Sequence, residues 1–214
     1  MRKLILTLFL GIIILSTNLL AKEQEKKYSM RVAYGYASER DLGDILLTLD
    51  FAKHPVDLTT VAVDGGYLLY SDLFDRNFDL YAKGGFSYFN EYNHSDTYEA
   101  LAYVKLLYNL DFSNNRVRFG FGEGVSYVKD KLEAELIDAG AEGPQQKPSP
   151  DPTAKFLNYL DITVDFDIGR LVGYKPLKEV YFGYLLKHRS GVFGLYSGVH
   201  GGSNYNSFYI EKNF

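Results

Sequence analysis

The 214-residue chain has no cysteine, no tryptophan, 19 tyrosines, 15 phenylalanines and a formal net charge of −4. Without thiols, a disulfide framework, acylation at a cysteine and thiol chemistry are excluded. The acidic balance leaves no basic stripe for phosphates, so nucleic acid is not an expected partner, and the length suits one domain or one closed barrel.

The chain opens on Arg2-Lys3 and an apolar run from Leu4 to Leu15, which fades through "STNLLA" into the charged "KEQEKK". This three-part layout predicts a secretory signal peptide over residues 1–21, with Ala21 before the cut. An uncleaved anchor is the alternative, but the apolar stretch falls short of the about 20 residues that a spanning helix needs. Losing Arg2 and Lys3 takes the formal charge from −4 to −6.

From about Lys27, residues 22–214 read as a single barrel domain whose sequence alternates with period 2, the signal of strands. Tyr28, Met30, Val32, Tyr34 and Tyr36 share one face of the first run. In "TYEALAYVKLLYNLDF" the even residues are apolar and the odd face carries Glu99, Lys105, Asn109 and Asp111. In "KFLNYLDITVDFDIG", Phe156, Leu160, Ile162, Val164, Phe166 and Ile168 oppose Asp161, Thr163, Asp165 and Asp167. Such runs suit membrane-spanning strands of roughly 9–11 residues, apolar outside and polar inside. A soluble sandwich or lipocalin-like barrel would show the same alternation with its apolar face turned inward.

Alternation alone marks nine segments: 28–37, 44–52, 58–71, 77–90, 97–112, 115–129, 155–168, 177–190 and 203–214. Bacterial single-chain barrels have even strand numbers, so one segment of the first third is misassigned. Eight strands is the expectation and ten the alternative. "SNN" at 113–115 marks a tight turn. The longest link, about 130–154, starts with a short helix around 131–138 and then runs through "GPQQKPSPDP", with four of the six prolines. Phe214 closes an alternating strand, as at the end of Gram-negative outer-membrane barrels. The expected fold is all-β, an antiparallel up-and-down transmembrane β-barrel in the outer membrane of a Gram-negative bacterium, monomer or homodimer.

Chemistry concentrates near the end of the chain. Val180, Phe182, Tyr184 and Leu186 form an outward apolar face that His188 and Ser190 continue, because strand side chains repeat every two residues. Asn204 and Asn206 begin the outward face of the last strand. Adjacent strands therefore bring His188, Ser190 and Asn204 together on the lipid-facing wall. A serine hydroxyl needs a neighbouring base to become a nucleophile, a histidine can be that base, and backbone N–H groups at Gly191 could meet an oxyanion. His200, in the glycine-rich loop, is a substitute base if the parity is wrong. Polar residues of these types also occur at a barrel rim without any chemistry.

The closing segment "YLLKHRSGVFGLYSGVHGGSNYNSFYIEKNF" resembles the C-terminal signature of the PagL-like outer-membrane lipid A 3-O-deacylases of the acyloxyacyl-hydrolase superfamily. The shared features are His-x-Ser ending the penultimate strand, a loop with glycine, and a last strand closing at an aromatic. The stretch "MRVAYGYASERDLGDILLTLDF" resembles the family's opening hairpin less specifically. The resemblance implies an eight-stranded barrel with a Ser-His-Glu triad on its outer wall. It implies hydrolysis of the ester-linked acyl chain at the 3-position of lipid A, the lipid of lipopolysaccharide in the outer leaflet, with no metal or other cofactor. Carried over, Ser190 is the nucleophile and His188 the general base. Two positions depart from the pattern: Gly191 follows the serine where the family has asparagine, and Asn204 stands where the acid is expected, as an orienting third member. The alternative is a non-catalytic structural or lipid-binding barrel of the same family. A small pore or receptor, resting on the inward Asp161, Asp165, Asp167, Arg116 and Arg118, comes last.

Overall fold

A computed structural model of the protein describes residues 26–141 and 153–214. The expected signal peptide lies outside the described residues, as do residues 142–152 of the Pro-rich link. Eight strands form one closed antiparallel barrel: β1 Tyr28–Ala37, β2 Thr59–Leu73, β3 Phe78–Asn90, β4 Thr97–Phe112, β5 Asn115–Val128, β6 Phe156–Asp167, β7 Val180–Ser190 and β8 Gly202–Asn213. Each strand pairs with the next, and β1 closes on β8. The ninth predicted segment, 44–52, is not a strand. Residues Leu42–Thr48 form a helix, α1, inside the β1–β2 link. Its apolar residues Leu42, Ile45, Leu46 and Leu49 follow the helical spacing as well as Ile45, Leu47, Leu49 and Phe51 follow the strand spacing. The Gly65-Gly66 pair, by contrast, sits within an unbroken stretch of β2.

Tyr28 and Phe214 exchange backbone hydrogen bonds of 3.0 and 2.9 Å, so both described ends of the chain lie at one end of the barrel. That terminal end also carries the links 74–77, 113–114 and 168–179. The last of these holds a short helix, α2, Ile168–Leu171. The opposite, loop end carries 38–58, 91–96, 129–155 and 191–201. The short helix expected in the long link is present as α3, Glu133–Ala141.

Parity decides what each wall is made of. Outward side chains are largely apolar, and Phe86, Phe121, Tyr98 and Phe208 are each at least half exposed. The largest inward side chains are mostly charged or tyrosine, with smaller residues such as Ser87, Leu101, Thr163 and Leu185 between them, and all of these are buried. The apolar face therefore points out of the barrel, opposite to a soluble lipocalin-like barrel. Arg31 bonds Asp64 at 2.7 Å and Asp161 at 2.6 Å, and Lys105 bonds Asp161 at 2.7 Å. Lys83 joins Asp64 to Glu211, at 3.1 and 3.0 Å. Nearer the terminal end Arg118 grips Asp165 with two 2.8 Å bonds and lies 3.3 Å from the centre of the Tyr181 ring. Removing such charges from water is tolerated only when each finds a partner. Glycines on β5 give the network room: a Cβ at Gly120 would come within 2.6 Å of Lys105 Cε. The interior is packed solid, so the inward charges that hinted at a pore are its filling; Arg116 instead pairs with Asp111 at the terminal rim.

At the loop end the filling passes into a cap. Leu132, Glu133, Ala134 and Glu135 are buried, with Ala37, Leu58, Phe89, Val128 and Tyr205 packed around the apolar pair. Glu135 accepts hydrogen bonds from Arg189, Thr153 and Ser203. Glu91 accepts the Glu133 N–H at 3.0 Å, while Glu133 accepts the N–H groups of Tyr92 and Asn93 at 2.8 Å each. This reciprocal clasp joins the link 91–96 to the start of α3. Burial beside Glu133 and Glu135 pushes the Glu91 carboxyl up to about 7.

Candidate active site

The β7–β8 register sets His188 directly opposite Asn204 and Ser190 opposite Gly202. On the other side, β6 sets Leu160 beside His188 and Asn158 beside Ser190. All of these side chains except the glycine's point outward, so the predicted parity holds. His200 stays in the β7–β8 loop, with its ring close to Gly194.

His188 Nδ1 lies 2.8 Å from Asn204 Oδ1. On its far side, Asn204 donates from Nδ2 to the backbone carbonyl of Arg40 at 2.9 Å. A carbonyl only accepts, so the amide nitrogen must face Arg40 and the amide oxygen must face the imidazole. An oxygen acceptor at Nδ1 fixes the proton there, which leaves Nε2 of the neutral ring with a free lone pair. This is the tautomer that a general base needs.

Asn204 is only 8% exposed despite lying on the outer wall. The β1–β2 link covers it, folding down over β1, β8 and β7 through contacts to Tyr36, Asn204 and Tyr184, and Leu186 and Asn206 in the same region are buried as well. The Phe51 ring meets Tyr184 edge-on at 5.3 Å, and Ser38 N donates to Asn204 O at 2.8 Å. Leu46, Leu47 and Leu49 stay exposed on the outside of this second layer, continuing the apolar surface. Asn206 has a structural neighbour instead of a chemical one, accepting the Tyr184 hydroxyl at 2.5 Å.

The Ser190 hydroxyl forms no hydrogen bond with a described residue, and in particular none with His188. Residues i and i+2 of a strand stand about 6.8 Å apart along one face, so proton transfer requires the serine to turn among its staggered rotamers toward Nε2. Gly191 N–H, expected at the oxyanion, donates to Gly201 O at 3.2 Å. It is free for an oxyanion only when that bond opens. Glu123 points outward as expected but lies beyond β6, 3.5 Å from the amide of Asn158. Glu211 points inward and belongs to the filling. Neither acid reaches the histidine. Among the described residues, no group of three or more His, Asp or Glu side chains could hold a metal ion.

Two groups at the site were not visible in the sequence. The Arg40 carbonyl is separated from Asn204 by 164 residues and lies in the short gap between two segments whose alternation reads as strand. Asn158, 3% exposed beside Ser190, looks in the sequence like any polar residue of an outward face.

The fold and site thus define a class: a closed eight-stranded barrel with an oriented histidine and a serine on its apolar outer wall. Among solved structures the chain is similar to one described as the crystal structure of the outer membrane enzyme PagL. The TM-score is 0.57, with 87% of this chain and 99% of that chain covered at 9% sequence identity. That likeness shows the barrel fold. No family model and no curated protein matches the sequence.

Proposed function

We propose that the protein is exported by a cleaved signal peptide to the outer membrane of a Gram-negative bacterium. There it hydrolyses a carboxylic ester of lipid A in the outer leaflet, at the 3-position acyl chain. Ser190 is the nucleophile, His188 the general base and Asn204 the orienting member. The observation that carries this reading is the His188–Asn204 pair at 2.8 Å, held in the base-competent tautomer on the apolar outer wall beside Ser190. The membrane-exposed position favours a substrate that never leaves the bilayer.

In the reaction, Ser190 Oγ attacks the ester carbonyl carbon as His188 Nε2 takes the hydroxyl proton. The tetrahedral intermediate collapses when the imidazolium returns that proton to the departing sugar oxygen, leaving an acyl-serine. Water, deprotonated by the same imidazole, then releases the 3-hydroxy fatty acid. Asn204 Oδ1 keeps Nδ1 protonated throughout. It supplies no negative charge to the imidazolium, so this base is weaker than one backed by a carboxylate.

A second reading is a non-catalytic lipid-binding barrel of the same fold, favoured by the unmade Ser190–His188 bond and by the engaged Gly191 N–H. Mass spectrometry of lipid A from cells expressing wild type and Ser190→Ala separates the two. Loss of one 3-hydroxyacyl chain in wild type only is the expected result. Unchanged lipid A in both strains, with both proteins folded in the membrane, would sink the esterase in favour of the second reading.

A further inference from the structure

Asn204 does not choose its own orientation. Its amide donates to the Arg40 carbonyl at 2.9 Å, and the N–H of the same residue is in turn held by Ser38. Ser38 Oγ accepts the Arg40 N–H at 3.1 Å and donates to Ala52 O at 3.0 Å, so one hydroxyl ties the two limbs of the β1–β2 link together. Ser38 is 4% exposed, and its backbone N–H bonds Asn204 O at 2.8 Å. A relay therefore runs from Ala52 O through the Ser38 hydroxyl to the Arg40 N–H, across one residue of backbone to the Arg40 carbonyl, and through the Asn204 amide to His188 Nδ1. Each group in it has one permitted direction, because the carbonyl oxygens of Ala52 and Arg40 can only accept.

We propose that Ser38 and the backbone carbonyl of Arg40 are positioning groups of this site. They hold the Asn204 amide with its oxygen on His188 Nδ1, and the docked β1–β2 link thereby sets the imidazole tautomer. When the link lifts, the amide loses its reason to present oxygen. An asparagine free to turn offers its N–H₂ to Nδ1 equally well, which moves the ring proton to Nε2 and disables the base. The outer-wall segment is then part of the site, and whatever displaces it from the barrel, such as a different lipid packing, switches the histidine. The same geometry accounts for asparagine where an acid is expected. Between a carbonyl on one side and an imidazole N–H on the other, the residue must donate and accept at once, and a carboxylate cannot.

The test reads the tautomer directly, so it stands apart from the esterase reading, on which only its rate arm rests. In the full barrel in detergent micelles with ¹⁵N-labelled histidine and asparagine, His188 is assigned by the loss of its signals in His188→Gln and Asn204 by the loss of its signals in Asn204→Gln. Wild type is expected to show one Nδ1–H tautomer, and one of the two Asn204 side-chain amide protons is expected to exchange slowly. Ser38→Ala is expected to mix the tautomers and to lower kcat about fivefold to tenfold, the scale of one lost hydrogen bond, with KM unchanged. Arg40→Ala keeps the carbonyl and is expected to keep the tautomer. An unmixed Nδ1–H tautomer in folded Ser38→Ala would overturn the proposal. If Ser38→Ala does not fold, the wild-type exchange decides: both Asn204 amide protons exchanging as fast as an exposed asparagine's would also overturn it. A lipid A that stays intact while the tautomer responds as expected would remove the esterase and leave the positioning chain in place.

Discussion

Replacing Asn204 by aspartate tests the site reading most sharply. In a serine protease the change from triad aspartate to asparagine costs roughly 10⁴ in rate, because the amide presents its N–H and imposes the wrong tautomer. If Asn204 were a detuned acid of that kind, Asn204→Asp would restore much of that factor. The structure predicts otherwise, because the Arg40 carbonyl already forces the correct tautomer at 2.9 Å. An aspartate there loses the hydrogen bond and turns a carboxylate oxygen toward a carbonyl oxygen in a nearly buried site. Leaving such a group unsatisfied costs about 1–3 kcal/mol. Against this, a charge-assisted hydrogen bond to the imidazolium is about twice as strong as a neutral one, a gain of about 1 kcal/mol. The unsatisfied carboxylate weighs on the folded protein with or without an imidazolium and is read as lost stability, whereas the stronger bond acts only once the imidazolium forms. The expected outcome is a less stable barrel and a rate gain of no more than about fivefold, the equivalent of about 1 kcal/mol. Initial rates of 3-hydroxy fatty acid release from lipid A in mixed micelles, with thermal unfolding followed by circular dichroism, measure both. A rate increase of tenfold or more with unchanged stability would refute an Asn204 amide oriented by the Arg40 carbonyl.

The interior and the cap give further predictions. Asp161→Ala removes the partner of both Arg31 and Lys105, at 2.6 and 2.7 Å, and breaking a buried pair in this way is expected to cost about 3–5 kcal/mol of unfolding free energy. Asp57→Ala, which breaks the exposed pair with Lys53, should be indistinguishable from wild type in the same denaturation series. Burial, with Glu133 and Glu135 nearby, raises the Glu91 carboxyl to about 7 in the folded cap, so the stability it lends the cap is fully present below its ordinary range and is lost as pH rises through about 7, where a buried charge forms. Amide exchange at Glu133 to Leu136, corrected for the intrinsic rate, should therefore show more protection in mild acid than in mild alkali. Glu91→Gln should flatten that dependence, and the opposite slope would remove the clasp as its cause. Planar bilayers carrying the wild-type barrel should show no conductance steps, because side chains fill the lumen; discrete steps would contradict the packed interior.

Most of the fold was legible because one face of each strand is apolar and points outward while the other meets a largely charged interior. The outward face of β4 is then apolar almost throughout, even where Leu101 and Leu107 interrupt the polar inner face. The pairing of His188 with Asn204 was legible for the same reason: both lie on outward faces of strands joined by a single link. Two things were hidden. Segment 44–52 satisfies helical and strand periods together, and its fate was decided by docking on the barrel wall, where Phe51 meets Tyr184, a tertiary effect outside any local window. The meaning of Asn204 was hidden for a related reason. A backbone carbonyl leaves no trace in a residue's identity, so Arg40 could not be recognised as the group that orients it. Seen without that neighbour, asparagine looked like a damaged acid.

The packed lumen also constrains how the molecule can be made. Arg31 sits on the first strand and its partner Asp161 on the sixth, 130 residues later, while Lys83 waits for Glu211 on the last strand, 128 residues later. A partly assembled sheet holds these charges with their partners missing, so each intermediate must keep its inner face wet. Water can leave only when β8 closes on β1, and neutralisation, drying and closure become a single late event. Such non-local pairing is slow to form, but it makes the finished cylinder all-or-none: strands cannot peel off singly without reopening the whole interior to solvent.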